Sequence, residues 1–252
     1  MNERIKHIFY WLFLICGIAY ILVLGSILAR AQHYAMPYGT GSAIPIANLV
    51  AKYDAYTISS VHVTSGHVLT WDDISGNGNN ATNPASPYPT YTVGTSVDFN
   101  TGWLRAAISG LNQPVTVYIV YEILTYHSND YIIDGYTSGD IMTLYESNSG
   151  SPYYIQQYAG GYGGQITVPA LSTYYVNTAV FNGASSTLSI NDGTKSTGSG
   201  SANPGGIIIG CRYGGTSNSK ISVKCILIYN VAHSSATQTT MFNSLKSYYS
   251  VP

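Results

Sequence analysis

The feature that most constrains this chain is a rhythm. From Gln32 onward, apolar and β-branched residues come in short runs, each cut off by Gly, Asn, Ser or Pro. "VTVYIVYEIL" (Val115–Leu124) is one such run. Others are "SVDF", "WLRAAI", "YIIDGY", "IMTLYE", "YYVNTAVFN", "TLSIN", "GIIIGCRY" and "ISVKCILIY". Runs this short, bounded by turn residues such as "NDG" at Asn191–Gly193, are strands rather than helices. Their close spacing leaves no room for crossover helices, so the pattern predicts an all-β, two-sheet antiparallel sandwich or jelly roll. Val115–Leu124 is almost continuously apolar, which predicts a strand buried on both faces.

Two stretches break the rhythm. Near the end, "SSATQTTMFNSLKSYY" places Met241, Phe242, Leu245, Tyr248 and Tyr249 at helical spacing. Ser235, with Gln238 three residues later, fits a capping box, so one short C-terminal helix should lie on the sandwich. At the start, the basic "MNERIKH" precedes residues 8–29, which carry no charge. As a helix that segment would reach about 33 Å, enough to cross a bilayer. Phe9, Tyr10, Trp11 and Phe13 cluster at one end, as an aromatic belt would. The expectation is one N-terminal transmembrane helix or signal anchor (1–31), a linker (32–47) and a β domain (48–252). Ala29-Arg30-Ala31 also fits a signal-peptidase site, so cleavage after Ala31 is the second fate considered, giving a secreted protein. Both fates put the β domain outside the cytoplasm.

Composition excludes several classes. Only 8% of residues are charged and the net charge is −1, so no clustered Lys/Arg surface exists for nucleic acid. Apolar residues make up 45% of the chain and there are 24 tyrosines, which argues against disorder. Hydroxyls and amides, rather than ions, supply the polarity.

In order along the chain stand "NLVAKYDA", "VLTWDDISGNGNNAT", "VDF", "LNQPVTVYIVYEI" and "CILIYNVAHSSATQTTMFNSLKSYYSV". Over residues 47–251 this succession resembles the laminin-G-like members of the concanavalin A-like jelly-roll superfamily found in microbial and phage surface proteins. W-x-D-x-S-G-x-G-N after the first hairpin, and a terminal I-Y-N followed by a short helix, are the specific marks. Lys52 stands where that pattern usually has an aromatic, and Ser, Thr and Gln replace the acidic residues of its last helix. The resemblance implies a concanavalin A-like jelly roll and a lectin-like role.

The candidate chemistry is sparse. Asp73, Ser75 and Asn77 alternate like the first half of a calcium loop, but position twelve is Pro84, so an EF-hand is excluded. The resembled superfamily often binds calcium, which leaves a looser site on Asp72 or Asp73 with backbone carbonyls. The alternative is a turn in which Asp73 and Ser75 cap their own backbone. Trp71 closes the alternating run "HVLTW" and is expected in the core, either on one face with His67 and Leu69 or capping the sandwich edge. Jelly-roll glycosidases carry E-x-D-x-E, whereas Glu122 and Glu146 stand alone here. No metal-spaced histidines or G-x-S-x-G elbow occur, and the expectation is that the protein is not an enzyme. "YAGGYGGQ" (Tyr158–Gln165) lacks a P-loop lysine and reads as a mobile loop. Tyr153, Tyr154, Tyr158 and Tyr162 are candidates for a sugar-stacking platform, or else ordinary structural tyrosines. Cys211 and Cys225 fall on two runs joined by "GGTSNSK". If that joint is a hairpin they face each other and form a disulfide; the alternative is two buried free thiols.

Three functions follow. One is a non-catalytic, membrane-anchored, lectin-like module binding a glycan or a surface protein. A second is a structural subunit of an envelope, virion or extracellular assembly, with self-association. The third and weakest is a residual glycoside hydrolase.

Overall fold

The computed structural model describes residues 44–138, 141–148 and 150–252. The expected anchor at residues 8–29 and the Ala31 cleavage site lie outside them. Among the described residues, no helix is long and apolar enough to cross a membrane.

The described chain forms seventeen strands in two sheets and one α-helix. In chain order the strands of the first sheet are β1 (Leu49–Asp54), β5 (Thr90–Thr92), β6 (Ser96–Phe99), β8 (Val115–Thr125), β13 (Tyr175–Phe181), β14 (Thr187–Ile190), β15 (Ser196–Thr197) and β17 (Lys220–Tyr229). Those of the second are β2 (Val61–Thr64), β3 (His67–Trp71), β4 (Ala81–Thr82), β7 (Leu104–Ala107), β9 (Tyr131–Gly135), β10 (Thr143–Glu146), β11 (Tyr154–Tyr158), β12 (Tyr162–Thr167) and β16 (Gly206–Ile209). The eight-stranded sheet runs β15-β14-β13-β8-β17-β6-β5, with β1 added to β17. The nine-stranded sheet runs β12-β11-β10-β9-β16-β7-β4-β3-β2. Every pairing between these strands is antiparallel, as the turn-rich sequence requires.

The inner faces of the two sheets share one core. Along β8, Val115, Val117, Ile119, Tyr121 and Ile123 point into it. Tyr118 and Val120 point the other way, into a second apolar layer closed by the helix α1 (Ser235–Tyr249) through Met241, Leu245 and Tyr249. This accounts for the apolarity of β8 from Val115 to Tyr121, where both faces are covered; at the end of the expected run Leu124 is exposed. The helix is capped one residue earlier than the sequence suggested. The Ser234 hydroxyl accepts from Thr237 N–H at 3.2 Å, while the side chain of Gln238 turns back to donate to the His233 carbonyl at 2.8 Å.

Trp71 is fully buried, with its ring 5.8 Å from that of Tyr53. Its expected face-mates are different. His67 and Leu69 are exposed, and Val68 is the buried neighbour. The β2–β3 register pairs His62 with Thr70 but Val63 with Val68, so Leu69 is an extra residue in a bulge that reverses the alternation.

The Cys211–Cys225 disulfide is corrected: both are buried free thiols. "GGTSNSK" is not a hairpin between neighbouring strands. It carries the chain from β16 in one sheet to β17 in the other. The cross-strand neighbours of Cys225 are Asp54 and Val120. Burial pushes each thiol up to about 12, so neither is a ready nucleophile.

"YAGGYGGQ" is also more ordered than expected. It forms the end of β11, the turn and the start of β12. A Cβ at Gly163 would stand 2.2 Å from the Gly198 carbonyl oxygen, and one at Gly164 2.9 Å from Ser196. These glycines let β12 close against the β15 region.

Candidate functional site

The W-x-D-x-S-G-x-G-N stretch from Trp71 to Asn79 concentrates the most unusual residues. The carboxylate of Asp73 accepts from the backbone N–H groups of Lys52 and Ser75 at 2.8 Å each, and of Asn79 at 3.0 Å. The Asn77 amide donates to Leu49 O at 2.9 Å, and that of Asn79 to Val50 O at 2.7 Å. Gly76 and Gly78 take positive φ to make the turn. Motif side chains thus pin the loop to β1. An aspartate surrounded by three N–H donors is a backbone cap, an environment of positive rather than negative potential. Asp72 points elsewhere, to His62 Nε2 at 2.6 Å on the surface. Among the described residues, no three His, Cys, Asp or Glu side chains gather where a metal ion could be held.

A more distinctive chemistry lies on the outer face of the nine-stranded sheet, which no helix among the described residues covers. On β11, Ile155, Gln157 and Ala159 are buried, while Tyr154, Gln156 and Tyr158 alternate outward and stay half-exposed. Register then builds rows across the sheet. Tyr131, Tyr145, Gln156 and Gln165 stand opposite one another on β9, β10, β11 and β12. The Tyr131 and Tyr145 rings stack at 5.5 Å, and the Tyr145 hydroxyl donates to Gln156 Oε1 at 2.6 Å. The guanidinium of Arg212 lies 5.6 Å from the Tyr131 ring. In the adjacent row Thr143 faces Tyr158, which faces Tyr162. Those two rings meet edge-on at 5.2 Å, and Tyr162 is 78% exposed.

Of the four candidate tyrosines, Tyr154, Tyr158 and Tyr162 share this face. Tyr153 does not. It turns toward the core and stacks on Tyr126 at 4.4 Å, while the Tyr126 hydroxyl holds the Tyr154 carbonyl at 2.7 Å.

The same face holds two features that the sequence did not single out. Asp134, on β9, accepts from Thr143 Oγ1 at 2.6 Å and from the N–H groups of Gly135, Ile141 and Tyr213. Burial nevertheless raises its pKa. Arg105, on β7, lies between two rings, 5.7 Å from Trp103 and 5.6 Å from Tyr136. W-x-R spacing in "WLRAAI" was the available signal, since alternate strand residues share a face. Inside the sandwich below, Glu146 is buried and accepts from His127 N–H at 2.7 Å and from the Ser219 hydroxyl. Burial raises its carboxyl to about 8.

No family model matches the chain, and no curated protein matches it. Solved structures do. Trypanosoma rangeli sialidase in complex with sialic acid superposes with a TM-score of 0.61 at 13% identity, over 90% of this chain and 39% of that one. The binding domain of Paraclostridial Mosquitocidal Protein 1 gives 0.55 at 15% identity, over 82% of this chain and 56% of its own. For the botulinum neurotoxin serotype D/C VPI 5993 binding domain the values are 0.51 and 12%, over 79% and 53%. The chain therefore spans well under two thirds of each, and at these identities the likeness is one of fold. It corrects the expectation that the protein is not an enzyme. Sialidases stand among its matches, so neither the β-sandwich nor its isolated carboxylates exclude activity.

Proposed function

We propose that residues 48–252 form a concanavalin A-like jelly roll that binds a glycan, free or on a surface protein, through the open face of its nine-stranded sheet. One observation carries the reading: half-exposed Tyr158 and exposed Tyr162 present an aromatic pair beside Gln156 and Gln165, on an outer sheet face that no described helix covers. Aromatic rings cover the apolar faces of sugars, and neighbouring amides reach the hydroxyls. The fold shared with two toxin binding domains, and with a sialidase solved with sialic acid, supports it. In the same proposal, residues 1–31 anchor the protein and residues 32–47 hold the domain away from the membrane, outside the cytoplasm.

Glycan-array binding by the full-length chain is the test. Binding to a defined set of saccharides, weakened about tenfold or more in Tyr158→Ala and Tyr162→Ala at unchanged melting temperature, is the expected result. An array without a bound glycan, or binding indifferent to both tyrosines, would reject the proposal.

A further inference from the structure

Arg105 is the least explained charge on the described molecule. The chain carries only ten Lys and Arg residues, and this one is half-buried on a sheet face. Its guanidinium makes no hydrogen bond or ion pair with any described residue and lies instead against the two flanking rings. The nearest acidic group along its cross-strand row is Asp134, two strands away through Ile208, and both oxygens of that carboxylate are already taken by four donors.

The slot around Arg105 is built rather than incidental. Trp103 shares its outward face by alternation, and the indole lies against the turn after β16. A Cβ on Gly215 would stand 3.3 Å from the indole nitrogen, and Gly215 sits at φ +79°. On the other side, Gly206 at φ +146° lets Tyr136 approach. A Cβ there would meet Tyr136 Cβ at 2.9 Å and the Ala106 carbonyl oxygen at 2.2 Å. Two glycines in backbone conformations that other residues rarely adopt thus admit the two rings that flank the guanidinium. Rings stabilise a guanidinium through its flat faces and leave its in-plane N–H donors unused.

We infer that Arg105, with Trp103 and Tyr136, is an anion subsite for an acidic saccharide, gripping the carboxylate or sulfate of a sugar whose ring packs on the indole or phenol. The inference rests on the glycan-binding reading above and narrows it to a ligand class. A guanidinium fork matches a carboxylate or a sulfate with two parallel N–H···O bonds, which an ammonium cannot reproduce. The tyrosine pair on β11 and β12 engages neutral sugar faces; the Arg105 slot adds a demand for negative charge.

The test uses the full-length chain in a detergent without a sugar headgroup. The panel consists of matched saccharide pairs: sialylated and desialylated, uronate and its reduced neutral form, sulfated and desulfated. The expected result is about tenfold tighter binding of acidic members than of their neutral partners, weakening as salt is raised. Arg105→Gln should erase that preference while neutral members bind as before, and Arg105→Lys should retain only part of it. Melting temperature confirms that each variant is folded. Preference for the carboxylate pairs or for the sulfate pair identifies which anion the slot takes. Equal binding within every pair, or a preference that survives in Arg105→Gln, overturns the subsite and leaves the broader reading intact. Binding to no member of the panel overturns the subsite, and the tyrosine variants on the glycan array then decide the broader reading separately.

Discussion

The two sheets carry outward tyrosines in comparable surroundings of backbone, yet their outer faces have opposite fates. On the eight-stranded sheet, Tyr118 and Tyr229 stand among Val120, Val176, Cys225 and Leu227, and α1 seals them. On the nine-stranded sheet, Tyr131, Tyr145 and Tyr158 share a face with Gln156, Thr143, Asp134 and Arg105, and no described helix lies over them. The company a tyrosine keeps decides whether its ring becomes core or contact surface. Aliphatic neighbours favour exclusion of water under a lid, whereas on the other sheet Tyr131, Gln156 and Tyr158 stay half-exposed even though Tyr145, Thr143 and Asp134 beside them are buried.

The largest effect expected from this contrast is in stability. Leu245→Ala removes a fully buried side chain beneath the helix and should cost about 2–5 kcal/mol in denaturant unfolding. Gln156→Ala on the open face should cost roughly 1 kcal/mol or less, the worth of its bond with Tyr145. Equal losses would break the distinction between a sealed face and an open one.

A second, intermediate effect concerns the interior under the open sheet. Burial raises the folded-state pKa of Glu146 from 4.5 to about 8, so the folded protein holds a proton there that the unfolded chain releases. Its contribution is fully present below pH 4.5 and is lost progressively as pH rises toward 8. Unfolding free energy measured across that window should fall with rising pH, at a slope of up to about 1.4 kcal/mol per pH unit. Glu146→Gln, which still accepts from His127 N–H, should flatten the slope. An unchanged slope in the variant would assign the pH dependence elsewhere.

The smallest effect sharpens the comparison at its edge. Tyr162→Ala, at a ring 78% exposed, should leave the melting transition within experimental error, a change of roughly 0.5 kcal/mol or less. A large loss would make Tyr162 a structural residue and remove it from the binding surface.

Legibility in the sequence followed the range of the interaction. The double burial expected of Val115–Leu124 holds over Val115–Tyr121 and fails at exposed Leu124, while the amphipathic Met241–Leu245–Tyr249 stripe appears as expected; both are local patterns. Asp73 as a turn cap was readable because the donors of Ser75 and Asn79 lie within a few residues of it. A single bulge residue, Leu69, was enough to reverse the faces of β3, and alternation alone carries no sign of it. The cysteine pairing failed for a different reason. Turn residues reveal that a chain reverses, but not whether it stays in one sheet or crosses to the other. Arg105 was only half legible: Trp103 lies two residues away in W-x-R, but its second ring, Tyr136, comes from a distant part of the chain and only the sheet order brings it alongside.

One strand sets the timetable for the whole domain. β17 lies along β8 on one side and along both β6 and β1 on the other, so the earliest strand made is held by the last. Until Tyr229 has left the ribosome, β1 and β6 have no partner along the edges that β17 will occupy. Such long-range closure makes folding slow and late. A nascent chain of this design can form its local hairpins early, but it cannot complete the eight-stranded sheet until its last strand has been made.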